Sequence, residues 1–170
     1  GDLTNITEKQ KRISDSWYTK MIPSNKDNIH EIERNAEFIR GLGLPDFNPA
    51  FPRLPFQFSE EQGHFDYFVI FPGSSIKKRN WAPLNFSEII TKISNYTGWH
   101  CIICGGKGEQ ELAEQILRES GTGKITSMAG QTNLKQLASV MHGAKLVISN
   151  DTSGIHFAVA VGTPSVCIAG

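Results

Sequence analysis

The chain has 170 residues, 39% hydrophobic and 20% charged, with 17 Lys and Arg against 17 Asp and Glu and a pI near 7.1. That length suits one core, since domains mostly run about 100–150 residues, and the composition excludes disorder of the whole chain. Zero net charge argues against a protein built to coat nucleic acid or an anionic membrane, and leaves a small neutral or anionic ligand open.

No run approaches the roughly 18 apolar residues of a membrane span, and Gly1-Asp2-Leu3 opens no signal-peptide core. Three cysteines cannot all pair, so the expected setting is soluble, reducing and cytoplasmic. Residues 6–21 and 28–42 carry apolar residues at helical spacing (Ile29, Ile32, Ala36 and Ile39 in the second) and predict two amphipathic helices. Gly41 and Gly43 then supply helix-ending chemistry, and Pro45, Pro49, Pro52 and Pro55 forbid regular helix, so residues 44–63 read as an extended linker. The expected organisation is a helical, Pro-rich connector over residues 1–63 and an α/β domain over 64–170.

In that second part short apolar runs alternate with helical periods. Strands are expected at 67–71, 99–104, 125–127, 145–149 and 165–168, and helices near 86–95, 109–119, 134–142 and 154–161. Strand and helix in alternation predict a Rossmann-like parallel sheet with helices on both faces. Ligands of such sheets bind outside the carboxyl ends of the strands, which selects residues 72–81, 105–109, 128–133 and 150–156.

Those loops lean toward one kind of ligand. Pro72-Gly73-Ser74-Ser75 places backbone N–H groups and hydroxyls where they can face an anion, with Lys77, Lys78 and Arg79 at once after it, although a solvated basic turn would look the same. Asn150-Asp151-Thr152-Ser153-Gly154-Ile155-His156 puts small and polar residues before an apolar helix. Asp151 or Thr152 could simply be its N-cap, yet a helix start with unbonded N–H groups also suits a diphosphate. Glu109, after Gly105-Gly106, either complements a helix dipole or holds ribose hydroxyls.

Cys101 and Cys104 match C-x-x-C, but strand residues three apart point to opposite faces. They are expected to be core residues rather than a redox pair, as is Cys167 in the last strand. No zinc spacing, nucleophile elbow or Walker A sequence occurs.

Taken together, these segments resemble the C-terminal nucleotide-sugar-binding half of glycosyltransferase family 9, the heptosyltransferases that use ADP-heptose and lipopolysaccharide. The pieces are His30-x-x-Glu33-Arg34-Asn35 with Phe38 and Leu42-Gly43; Pro72-Gly73-Ser74-Ser75 with Trp81; Gly105-Gly106 with Glu109; Ala129-Gly130-Gln131-Thr132-Asn133-Leu134; and Ser149-Asn150-Asp151-Thr152 with His156, Ala158, Ala160, Gly162, Thr163 and Pro164. They span residues 28–170 in the family's order.

The resemblance implies a GT-B fold and roles residue by residue. Ser74 and Ser75 would face the phosphates and transferred sugar, and Arg79, where relatives usually carry Lys, would contact the phosphates. Glu109 would hold the ribose and Thr132 would line the adenine. Asp151, Thr152, Ser153 and Gly154 would bind diphosphate and sugar hydroxyls with His156 in support, Ser153 standing where most relatives have Gly. No metal or cofactor is implied.

The implied partners are a nucleotide-diphosphate sugar, a glycan or lipopolysaccharide acceptor, and an N-terminal domain that supplies the catalytic base; nucleic acid and a membrane span are not expected. The chain starts where that domain would end, and stops before the last helix of relatives. It is therefore expected to bind nucleotide without turnover, and its full form is expected to be cytoplasmic and peripheral at the inner membrane. The alternatives are a non-catalytic nucleotide-sugar-binding module and a nucleotide-sugar epimerase-like domain.

Overall fold

The computed structural model describes residues 7–23, 29–55, 65–74 and 80–169. The chain divides into two compact units, residues 1–51 and 52–170.

In the first unit Thr7 caps α1 (Glu8–Asp15) in a reciprocal pair with Gln10. The helix ends well short of residue 21, because Ser14 and Ser16 turn their hydroxyls onto the carbonyls of Lys11 and Ile13. Helix α2 (Glu31–Gly41) starts at His30, whose Nδ1 accepts from the Ile32 N–H at 3.2 Å. Its Arg40 pairs with Glu33 and donates to the Phe47 carbonyl at 2.8 Å, tying the helix to the loop after it. The motif His30-x-x-Glu33 thus has a local structural use, and residues 44–55 are irregular as the prolines require.

The second unit is a five-stranded parallel sheet in the order β3-β2-β1-β4-β5. Its elements are β1 (Tyr67–Phe71), α3 (Pro83–Thr97), β2 (His100–Ile103), a single 3-10 turn (Lys107–Glu109), α4 (Gln110–Glu119), β3 (Ile125–Ser127), α5 (Leu134–His142), β4 (Val147–Asn150), α6 (Ser153–Val161) and β5 (Ser165–Ile168). This is the Rossmann-like α/β class read from the sequence. Helix α3 begins earlier than its apolar period because Pro83 presets the first turn, and it ends where Gly98 takes φ 77°.

Strand β1 is buried on both sides, which is why its sequence is continuously apolar. Tyr67, Val69 and Phe71 pack with Leu137, Ala138 and Met141 of α5 and Ala158 and Val161 of α6. Phe68 and Ile70 face the other way, onto Phe86 and Ile90 of α3 and Ala113 and Ile116 of α4. Leu54 is more than linker: its N–H donates to the Ala160 carbonyl at 3.1 Å and its side chain rests on the α5–α6 layer. Among the described residues no helix is long and apolar enough to cross a membrane.

Cys101 joins the α3–α4 layer and Cys104 the α5–α6 layer, so the two thiols lie on opposite faces of the sheet and are free. Burial pushes the Cys104 thiol up to about 12 and raises Cys101 too, the reverse of an activated pair. Cys167 corrects the expectation. It is exposed, because β5 is an edge strand that, among the described residues, pairs with β4 alone. At about pH 8, where an accessible thiol reacts with alkylating reagents, the native chain is expected to take one label, on Cys167, and denaturant to release the other two. Mass analysis that finds Cys101 or Cys104 labelled in the folded chain would contradict their burial.

Candidate functional site

Strands β1 and β4 are neighbours, but the helices that follow them, α3 and α6, pack on opposite faces. Between such strands lies the position at the carboxyl edge where doubly wound sheets bind ligands. Residues 72–74 and 80–81 meet the segment 150–156 there.

Their junction is Asn150, 1% exposed at the end of β4. Its Oδ1 accepts from the Trp81 N–H at 3.1 Å, and its Nδ2 donates to the Pro72 carbonyl. Sequence reading passed over this residue as a role-bearing one. The signal was present, since a buried Asn at a strand end must find partners for both halves of its amide. Asn80, which pairs with the Ser74 hydroxyl across the same loop, was also missed.

On the β2 side the Glu109 carboxylate occupies the space above Gly73 and Gly105, where a Cβ on either would collide with it. It accepts from the Gly106 N–H at 2.6 Å and so starts the 3-10 turn. The helix-start reading of Glu109 is thus realised, and it holds a carboxylate across the ends of β1 and β2. Gly73, Ser74, Asn80 and Glu109 line a cleft of about 320 Å³ that continues along α4 to Glu111 and Gln115.

At the β4 end Thr152 is the N-cap of α6, but its side chain makes no capping bond, so capping does not account for Asp151 or Thr152. Asp151 is exposed, with its N–H on the Ile168 carbonyl at 3.2 Å, and it lies near enough to Cys167 to add to the upward shift that partial burial gives that thiol. Ser153 and His156 are exposed on the first turn of α6. Gly154 is buried, its missing side chain leaving room for Ser149 Oγ and the Phe71 ring.

Thr132 stands apart, half-buried in a separate depression of about 350 Å³ with Met128, Gln131 and Lys135. Its loop leans on the β2 loop through the Gly130 N–H, which donates to the Gly105 carbonyl at 2.9 Å. The structure thus brings Ser74 and Glu109 into one cleft, sets Asp151–His156 beside it through Asn150, and leaves Thr132 outside. Ser75 and Arg79, with Lys77 and Lys78, lie outside the described residues. Among the described residues no three metal-binding side chains cluster.

The chain is similar to known proteins of one family. The chain is 26% identical over 173 residues to lipopolysaccharide heptosyltransferase 3 of Escherichia coli K12, covering 95% of this chain and 49% of that protein. It is 28% identical over 143 residues to the lipopolysaccharide core heptosyltransferase OpsX of Haemophilus influenzae, covering 79% and 41%. The chain therefore spans about half the length, or less, of these curated relatives.

Among solved structures, the glycosyl transferase family 9 protein of Veillonella parvula superposes with a TM-score of 0.73 at 20% identity, over 91% of this chain and 47% of that one. The E. coli heptosyltransferase WaaC with ADP gives 0.65 at 22% identity, over 91% and 50%. At such identities the superpositions speak for the fold. The family model, in contrast, runs along residues 5–170, through both units and every strand-end loop described above. The chain belongs to glycosyltransferase family 9, the heptosyltransferase family.

Proposed function

We propose that this chain is the donor-binding half of an inverting glycosyltransferase that moves a heptose-like sugar from a nucleotide-diphosphate sugar, ADP-heptose, to lipopolysaccharide or a related glycan. The observation that carries the reading is the carboxyl edge at β1 and β4, where a helix start without a side-chain cap follows β4, and Asn150 ties that strand to Pro72 and Trp81 beside the cleft of Ser74 and Glu109. Backbone N–H groups at such a start carry partial positive charge and accept phosphate oxygens. The family membership and the solved structure of a related fold with ADP support the same donor.

In this reading Glu109 accepts ribose hydroxyls, Ser74 and Ser75 meet the phosphates and sugar, and Asp151 accepts sugar hydroxyls. The acceptor hydroxyl attacks the anomeric carbon while Arg79 and the start of α6 stabilise the departing diphosphate. Proton removal from the acceptor falls to a general base outside these 170 residues. No metal takes part, and the chain by itself binds donor without turning it over.

Calorimetric titration with ADP, UDP and GDP tests the reading. ADP is expected to bind most tightly; a UDP preference would point to the epimerase-like alternative. No heat from any of the three up to about 1 mM, a binding free energy near −4.1 kcal/mol, would remove the donor site from this chain.

A further inference from the structure

Asn150 combines three properties that packing alone does not require. It is almost wholly buried at the carboxyl end of a central strand, it is uncharged, and both halves of its amide are spent on one loop. The two partners, Pro72 and Trp81, sit on either side of the segment that holds Ser74, Asn80 and, by the family resemblance, Arg79. The residue after Asn150 is Asp151, which leads into α6. One side chain thus fixes the exit of β1 and the entry to α3 against the strand from which the α6 start departs.

We propose that Asn150 is a positioning residue for donor binding: its amide sets the spacing between the exit of β1 at Pro72, the entry to α3 at Trp81, and the start of α6. The inference rests on the donor-site reading above. An amide is the side chain that matches this place, because a backbone N–H needs an acceptor there and a backbone carbonyl needs a donor. A carboxylate of the same shape would accept from Trp81 but repel the Pro72 carbonyl. A hydroxyl is too short to reach both partners.

The backbone of Asn150 is bound separately. Its carbonyl accepts from Ser149 Oγ at 2.8 Å, and it pairs with Ile168 in the β4–β5 register. Loss of the amide therefore releases Pro72 and Trp81 from β4 while β4 stays in the sheet. Trp81 also packs edge-to-face on Phe86, with ring centroids 5.2 Å apart, so Trp81 keeps a packed position without the amide.

The test uses Asn150→Asp and Asn150→Ser, with ADP as probe and the unmutated chain measured alongside at each pH. Burial and the Pro72 carbonyl raise the introduced carboxyl. Once protonated it donates to Pro72 and accepts from Trp81, restoring the amide's pattern. Among the described residues the titratable neighbours are Asp151 next in sequence and Cys167 on β5; they and every other titratable group are common to all three chains, as are the phosphates of ADP, so the ratio of variant to unmutated affinity removes their contribution.

At about pH 8 both variants are expected to bind ADP about tenfold more weakly than the unmutated chain, the loss typical of one buried hydrogen-bond pair. At about pH 5.5 the Asp variant is expected to recover to within about threefold, and the Ser variant not to recover. Equal affinity at pH 8 in either folded variant overturns the proposal, as does an Asp variant that stays equally weak at both pH values. Unfolding of both variants in thermal melts would make Asn150 a folding residue and likewise overturn it. Failure of the unmutated chain to bind ADP overturns the donor-site reading instead, and this inference with it.

Discussion

Replacing Asp151 with alanine is expected to weaken binding of an ADP-sugar by about 1.5–3 kcal/mol, roughly 10–150-fold, while leaving ADP itself bound as tightly or more tightly. The magnitude is that of hydrogen bonds to a charged partner. The split between the two ligands follows from charge. A carboxylate at the start of α6 accepts sugar hydroxyls but repels a diphosphate, so its removal costs only the ligand that brings hydroxyls. The side chain is exposed and no capping bond is lost with it, so stability is expected to change by less than about 0.5 kcal/mol. Parallel titrations of ADP and ADP-heptose into both chains decide the matter; an equal loss for both ligands would move Asp151 from the sugar to the phosphates.

Gly154→Ala should destabilise the fold although it places a better helix former in α6. Alanine gains about 1 kcal/mol over glycine in a helix interior. The added Cβ, however, would stand 2.7 Å from Ser149 Oγ and 2.8 Å from Cγ of the Phe71 ring, both of which belong to buried strand ends. Neither neighbour is the loose end of a flexible side chain. Relief requires α6 to lift from the sheet, and overpacking of this kind costs about 1–3 kcal/mol net. For a chain of this size that lowers the melting temperature by about 2–12 °C. Circular dichroism melts would show it, and a rise in melting temperature would mean that helix propensity outweighs the contact. Because the lift carries Asp151 and Ser153 with it, ADP-sugar affinity is expected to fall as well.

These two positions mark how far the residues could be read in advance. Strand β1, strand β3, strand β5 and helix α5 fall on the expected residues because each announces itself locally, by a buried apolar run, by flanking turns, or by the Asn133–Gln136 capping box. The opposite burial of Cys101 and Cys104 follows from the two-residue period of a strand. Other features depend on partners distant in sequence. The exposure of Cys167 depends on β5 lying at the sheet edge, and the anchoring of Leu54 depends on Ala160. At Gly154 the need for glycine comes from Phe71, which local sequence does not display.

The candidate site divides along the same line. Residue types at the strand ends, Ser74 after Pro72-Gly73, Glu109 after two glycines, and Asp151-Thr152 before an apolar helix, are chemical signals carried by the chain itself, and the alternation of strands and helices determines the fold class. The tertiary structure alone decided which of them share a space. It placed Ser74 and Glu109 in one cleft, set Thr132 in another, and bound Asn150 to the two ends of one loop, 69 and 78 residues away in sequence. The reason is physical: side-chain periodicity and helix capping are set within a few residues, whereas the partners of a buried amide are set by the order β3-β2-β1-β4-β5, which brings the ends of β1 and β4 together.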